Sequence, residues 1–408
     1  MKSQGSPINF RLSRLAQPTL LLGGVVFLVP VLTLYVPLSL ATLLPVLVVV
    51  AIAGRIVSGR PEFRLSRIST IVVSALILLA TASAAWSYSA ELTWEKIPRT
   101  AMIALAGALL LAAMSGLDRT QSRIISKAFL AGFMLALVLV MSERATGGLL
   151  FRTALVMGSE GNFLNQFNRP LSLLSIMLWP AVVILTDRRP VYGIATVIGC
   201  LALFATFQTG AATAAVAVGI VVFAGIYAAP RIIGPLTGAL LGASVLLAPT
   251  IEHMLPQPKA MFEELGLPRS AYHRLLIWQF ASQKIAERPV LGWGFNTSRA
   301  IPGGKENLDV SEAALPLHPH NAALQWRLEL GILGALLGAG LFVVAAECAR
   351  RYGRNRIAQA AGTATVASAY CIAMLSFGAW QSWWLSGLFV IAGITVLSCR
   401  DPERSADV

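Results

Sequence analysis

The stretch LHPHNAALQWRLELGILG, residues 317–334, sets His318 and His320 against the start of a hydrophobic run, with Arg327 and Glu329 in its first turns. The chain has four histidines, and all of them (His253, His273, His318, His320) fall between residues 251 and 320. A neutral imidazole can take a proton from an attacking group, and a guanidinium can hold a departing anion. The positive end of a helix dipole disfavours imidazolium, so a histidine at a helix start is kept in the form a general base needs. His320 is expected to be that base.

A second helix start carries the anion chemistry. NQFNRPLSLL, residues 165–174, puts Pro170 at a first helical position with Asn168 or Arg169 at the cap. Free backbone N–H groups, the dipole and a fixed guanidinium together make an anion site. Arg274 supplies a second guanidinium, and Arg299 and Arg327 are further candidates. Of five aspartates only Asp309 falls on the same side, with no Asp-x-Asp pair for a divalent ion. Neither a phosphate loop of the Walker type nor a Gly-x-Ser-x-Gly elbow occurs. The expected chemistry uses no metal or nucleotide cofactor and acts on an anionic group at membrane level, such as a lipid pyrophosphate.

These residues must be positioned by membrane helices. Of 408 residues, 56% are hydrophobic and 12% charged, with a mean hydropathy of +0.71. A soluble domain carries about twice that charged fraction. Apolar runs of bilayer length recur throughout. They predict spans at 18–34, 38–54, 69–87, 100–116, 128–142, 170–186, 191–208, 211–229, 232–250, 321–346, 359–379 and 384–399. The first follows Lys2, Arg11 and Arg14 without a small-residue cleavage site and reads as an uncleaved anchor. The expectation is an all-α polytopic membrane protein of about 12 transmembrane helices, one integral membrane domain over 1–408.

With both termini inside, the inner segments hold 19 of the 32 Lys and Arg but only 7 of the 19 acids. GRIVSGRPEFRLSR and ARRYGRNR are the most basic of them. That asymmetry is the positive-inside pattern, so the basic balance reports topology and no nucleic-acid partner is expected. The same topology puts a large loop, 251–319, on the outer face, beside a shorter one at 143–169. Within the large loop, YHRLLIWQFASQKIAERP (272–289) alternates apolar and polar faces and ends at Pro289, an amphipathic helix expected to lie in the interface plane. Eight of nine tryptophans map to the outer half, which fits an aromatic belt, alone or combined with sugar contacts. The four cysteines sit in or beside spans and offer no disulfide framework.

On a helix through 320–340, Arg327 falls about −20° from His320, Gly331 about +20°, Gly334 about −40° and Gly338 near 0°. One stripe would then carry the imidazole, a guanidinium and three glycines against a neighbouring backbone. Glu329 falls on the opposite face, where it is expected to snorkel or pair.

The spacing His320, Asn321, nine residues, Gly331, two residues, Gly334 resembles the motif of the O-antigen ligase family, within the superfamily that also holds O-antigen polymerases and O-oligosaccharyltransferases. HPHNAALQ, LELGILG, RLLIW before RPVLGWGFNTSR, and FNRPLSLLSIMLWP are similar to the ligases as well. Pro170 follows Arg169 where many relatives carry Gly. The resemblance implies transfer of a completed glycan from undecaprenyl pyrophosphate to a lipid A-core hydroxyl, at the periplasmic face of the bacterial inner membrane, without metal or ATP. It implies that 251–319 is a periplasmic loop. It casts His320 as the base or an acceptor-positioning residue, and Arg169 and Arg274 as the pyrophosphate-binding arginines. His318, Asn321, Arg327, Arg299 and Trp278 are the expected substrate contacts, and membrane lipid surrounds the whole. The alternative readings are a polymerase with the same chemistry and a polysaccharide-lipid transporter. Mid-span positions almost free of charge disfavour a transport site.

Overall fold

A computed structural model describes residues 7–57, 59, 67–154, 163–207, 209–307 and 313–400. Asp309, most of the basic 54–67 segment and residues 155–162 of the shorter loop lie outside the described residues. The fold is all-α. Among the described residues no strand forms, and two isolated bridges pair Asn307 with Ala313 and Gly353 with Arg400.

Each expected span is a helix. They are α1 (Pro7–Tyr35), α2 (Leu40–Val57), α3 (Arg67–Ser83), α4 (Ala90–Ser115) and α5 (Arg119–Thr146). Two short helices, α6 (Leu149–Ala154) and α7 (Phe163–Gln166), precede α8 (Asn168–Thr186), α9 (Pro190–Ala205), α10 (Gly210–Ala228) and α11 (Pro230–Met254). Next come α12 (Pro258–Leu265) and α13 (Arg269–Glu287), then α14 (Ala322–Tyr352), α15 (Arg356–Leu375) and α16 (Ser382–Cys399). Among the described residues ten helices are long and apolar enough to cross a membrane; α3 and α9 contribute shorter apolar stretches, Thr70–Ser83 and Pro190–Ala205.

Local chemistry sets the ends. Asp118 and Gln121 close a capping box at the start of α5, and Asn355 caps α15 through Ala358 N–H at 2.8 Å. Pro190 and Pro230 open α9 and α11 at positions where a missing N–H is harmless.

The bundle is organised around α8. Every residue from Pro170 to Val183 is buried, the pattern of a helix enclosed by others. Small residues let α10 and α15 approach it closely. Trp179 donates its indole N–H to Ser368 Oγ at 2.8 Å, and Ser368 donates to Ala215 O at 2.8 Å. A side chain at Gly219 would strike the Trp179 ring. Arg169 stands at the start of this enclosed helix.

α13 is amphipathic, and its apolar face is covered by protein. Ile277, Ala281 and Ile285 pack with Trp293, Ile301 and Leu315 against Leu324 and Leu328 of α14.

Candidate active site

Asn321 is the N-cap of α14, its side-chain oxygen accepting Leu324 N–H at 3.1 Å. That oxygen is engaged in capping. His320 therefore lies before the helix, in a left-handed conformation with φ 56°. α14 itself breaks at Gly331, where φ is 61° and ψ −151°. The single stripe expected along 320–340 does not form, because both its first residue and its first glycine leave the helical path.

The break is filled by the loop after α13. Ile332 N–H turns to Val290 O at 3.1 Å, while Leu328 O and Glu329 O accept Trp293 N–H and Gly294 N–H at 2.9 and 2.8 Å. A Cβ at Gly331 would lie 2.0 Å from Val290 O. Gly338 faces the Trp326 ring, on the other half of the same helix. Gly331 thus takes a neighbouring backbone, that of Val290 and Leu291 in the loop, whereas Gly334 and Gly338 meet Trp326 of their own helix.

Glu329 is the anchor of this loop. It has no exposure, so it does not snorkel, and its partners are neutral N–H and O–H donors. Its carboxylate accepts Asn296 N–H at 2.6 Å, Gln325 Nε2 at 3.0 Å and Trp380 Nε1 at 2.6 Å, as well as the Ser298 hydroxyl. Gln325 passes the connection on, accepting Ala379 N–H at 2.8 Å. The turn between α15 and α16 is thereby fixed against α14.

That turn receives the imidazoles. His320 Nδ1 lies 2.7 Å from Ser376 O. A carbonyl only accepts, so Nδ1 carries the proton and Nε2 keeps its lone pair. His318 is 7% exposed, and its Nδ1 accepts His320 N–H at 3.2 Å. Its Nε2 lies 3.0 Å from the Gln381 amide, and the two imidazole centroids are 4.3 Å apart. A side chain at Gly378 would meet the His318 ring. Trp278 donates to Pro319 O at 2.9 Å, between the two histidines, so it holds their backbone.

Arg274 Nη1 donates to Leu375 O at 2.8 Å, the carbonyl next to the one that holds His320. α13 and the α14 start therefore dock side by side on the end of α15. Burial, then the charges of His320, Arg299 and Arg274, push the His318 pKa down to about 3. His320 is also lowered, by burial first and then by Arg274 and His273, against the opposing Ser376 carbonyl. Burial lowers Arg274 as well, yet a guanidinium stays charged at any physiological pH.

Arg169 is exposed, with its guanidinium 5.8 Å from the centre of the Trp383 ring. Trp383 Nε1 donates to Gln381 Oε1 at 3.1 Å, so a chain of contacts joins Arg169 to His318. The cap of α8 is Phe167, not Asn168 or Arg169, and Pro170 stands at the third helical position. Phe167 is fully buried against Phe151, Phe163 and Phe207, and this packing decides where the helix begins.

Arg299, exposed in the turn beside Ser298, directs its charge at His318. Arg327 is not among the charges acting on either imidazole. Its Nε and Nη1 are buried without a hydrogen-bond partner. The expected shared face with His320 disappears because His320 lies outside the helix.

Gln381, Gln325 and Glu329 were missed as site residues. Gln325 and Glu329, four apart in the first turns of a mostly apolar helix, were the available signal. The one-sided tryptophans have a structural cause too. Indole N–H groups of Trp86, Trp278, Trp293, Trp380 and Trp383 all donate to protein acceptors around this site. Among the described residues no group of three or more His, Cys, Asp or Glu stands at metal-binding range.

Comparison with known proteins gives the following. Residues 194–339, from α9 through the glycine break, match the family model described as O-antigen ligase. A protein of Rickettsia conorii provisionally named a polysaccharide ligase is 32% identical over 292 residues, 68% of this chain and 68% of that protein. Similarly named proteins of Rickettsia felis and Rickettsia prowazekii are 31% and 30% identical, over 67% of this chain and 67% and 68% of their own lengths.

Proposed function

The chain belongs to the O-antigen ligase family, and from that premise we propose that it transfers a glycan from undecaprenyl pyrophosphate to a hydroxyl of lipid A-core at the periplasmic face of the inner membrane. The observation that carries the reading is the bond from His320 Nδ1 to Ser376 O, which leaves Nε2 as a bare acceptor beside Arg274.

The acceptor hydroxyl enters at Nε2. Its oxygen attacks the anomeric carbon of the donor sugar as its proton passes to His320. The bond from that carbon to the phosphate oxygen breaks, and the lipid pyrophosphate leaves with the electron pair. Attack from the side opposite the leaving group inverts the anomeric centre. Arg274 and Arg169 balance the charge that grows on the departing pyrophosphate. Base assistance of this kind contributes roughly 10²–10⁴-fold, and charge stabilisation by the two guanidinium groups adds to it. His318, held neutral by its lowered pKa, keeps the His320 backbone in its left-handed turn and leaves the proton transfer to His320.

The test is reconstitution with undecaprenyl pyrophosphate-linked glycan and lipid A-core in the presence of EDTA. Wild type forms ligated product, and folded His320→Ala forms none. Near-normal transfer by His320→Ala would remove the base from this scheme. Elongation of the lipid-linked glycan in place of ligation would make the chain a polymerase.

A further inference from the structure

A polar cavity lies at the end of the bundle opposite the histidines. α14 runs away from the histidines to Tyr352, and α15 starts there and runs back. Between the end of α14 and the starts of α11 and α15 is a cavity of about 640 Å³, lined by Arg231, Arg350, Arg354 and Arg356 together with Ile232 and Asn355.

Its walls are built. Arg354 N–H donates to Cys399 O at 2.9 Å, and Gly353 pairs with Arg400, so the turn between α14 and α15 is pinned to the end of α16. A side chain at Gly353 would strike Gln359, and one at Gly234 would strike the Arg350 stem, so that stem lies flat on α11. Glu347 takes Nε and Nη2 of Arg350 at 2.7 and 2.6 Å and leaves Nη1 open. Arg354 is paired with Asp187. Among the described residues Arg231 and Arg356 pair with no acid; both are exposed, at the first turns of α11 and α15.

The cavity thus holds two uncompensated guanidinium groups and an oriented third. Such a set matches the several oxygens of a phosphate group. It lies where membrane-spanning helices begin, and Ile232, 71% exposed, supplies an apolar flank. We infer that this cavity binds the phosphate headgroup of an anionic phospholipid at the leaflet opposite the histidine site. Basic pockets between membrane helices suit such headgroups. Positive-inside charge alone would place arginines at this end without gathering them around a cavity.

The experiment uses the full chain purified in detergent, with phosphatidylglycerol, phosphatidylcholine or inorganic phosphate added. Retained lipid is read by native mass spectrometry and stabilisation by thermal melting. Phosphatidylglycerol is expected to be retained and to raise the melting temperature, and phosphatidylcholine is not. Arg231→Gln/Arg356→Gln should weaken retention by roughly thirtyfold, the loss expected of two basic residues at an anionic headgroup. Arg123→Gln/Lys127→Gln removes equal charge from exposed positions early in α5, at the same end, and should change little. Equal weakening in both variants reduces the effect to overall charge and overturns the site. Inorganic phosphate that matches phosphatidylglycerol in affinity overturns the lipid assignment. Should the double variant fail to fold, Arg356→Gln alone is read the same way. None of these outcomes bears on His320.

Discussion

The indole N–H of Trp380 donates to Glu329 Oε2 at 2.6 Å, which ties the turn after α15 to a carboxylate with no solvent exposure. Through Gln325 the same carboxylate holds Ala379 N–H. Ser376 lies in that turn, and its carbonyl sets the His320 tautomer. A chain of hydrogen bonds thus links the Glu329 carboxylate to the turn that holds the His320 imidazole.

Glu329→Gln keeps the shape but turns one acceptor into a donor that faces other donors. A loss of about 1–3 kcal/mol of stability is expected, the size of a buried unsatisfied polar group. Glu329→Leu strands all the donors and should destabilise more. Thermal or denaturant unfolding in detergent checks both. A wild-type melting temperature in Glu329→Leu would show that the carboxylate anchors nothing.

Gly331→Ala tests the broken helix. The φ 61°, ψ −151° combination is one that only glycine adopts readily, and the new Cβ would fall 2.0 Å from Val290 O. A loss of at least about 1–3 kcal/mol is expected from strain of that kind. Gly340 lies in the same helix with nothing within 4 Å of a built Cβ, so Gly340→Ala should be neutral or slightly stabilising. Equal melting temperatures for the two variants would contradict the break.

The two glycines also show how far the sequence could be read. Twelve apolar runs are enough to locate the helices, because in a bilayer length and hydropathy decide. That Arg274 serves the same site as His320 is implied only by the family resemblance; in the fold the two side chains bond to neighbouring carbonyls at the end of α15. What pattern cannot carry is a left-handed residue before a cap, or a glycine that breaks a helix where periodicity continues. Both depend on partners far along the chain, Ser376 for His320 and Val290 for Gly331. The α8 cap shifted for the same reason: Phe167 packing outweighs the local preference of Asn168 and Pro170.

In the proposed mechanism His318 acts through its neighbour. Its Nδ1 accepts His320 N–H, and the Oδ1 of an asparagine stands at the equivalent position. His318→Ala should lower kcat far more than it changes KM, since the base is misplaced while the substrates still bind. His318→Asn should recover part of the loss. Equal losses in both variants would point to the ring itself, and to a direct contact with substrate.

The pH profile reads His320. Burial, followed by the charges of Arg274 and His273, lowers its pKa below the ordinary value of about 6.5. A general base must be neutral, so kcat/KM should stay level from neutrality down to that lowered pKa and fall below it. Arg274→Gln removes a positive charge that repels imidazolium. The His320 pKa then rises, and the acid limb of the remaining activity moves to higher pH. His318, at about 3, titrates too low to shape the limb, but it bears on stability. Between about 6.5 and about 3 the unfolded chain binds that proton and the folded one does not, so stability falls as pH drops through this window. A wild-type acid limb above about 6.5, or one that Arg274→Gln leaves in place, would separate His320 from the proton transfer.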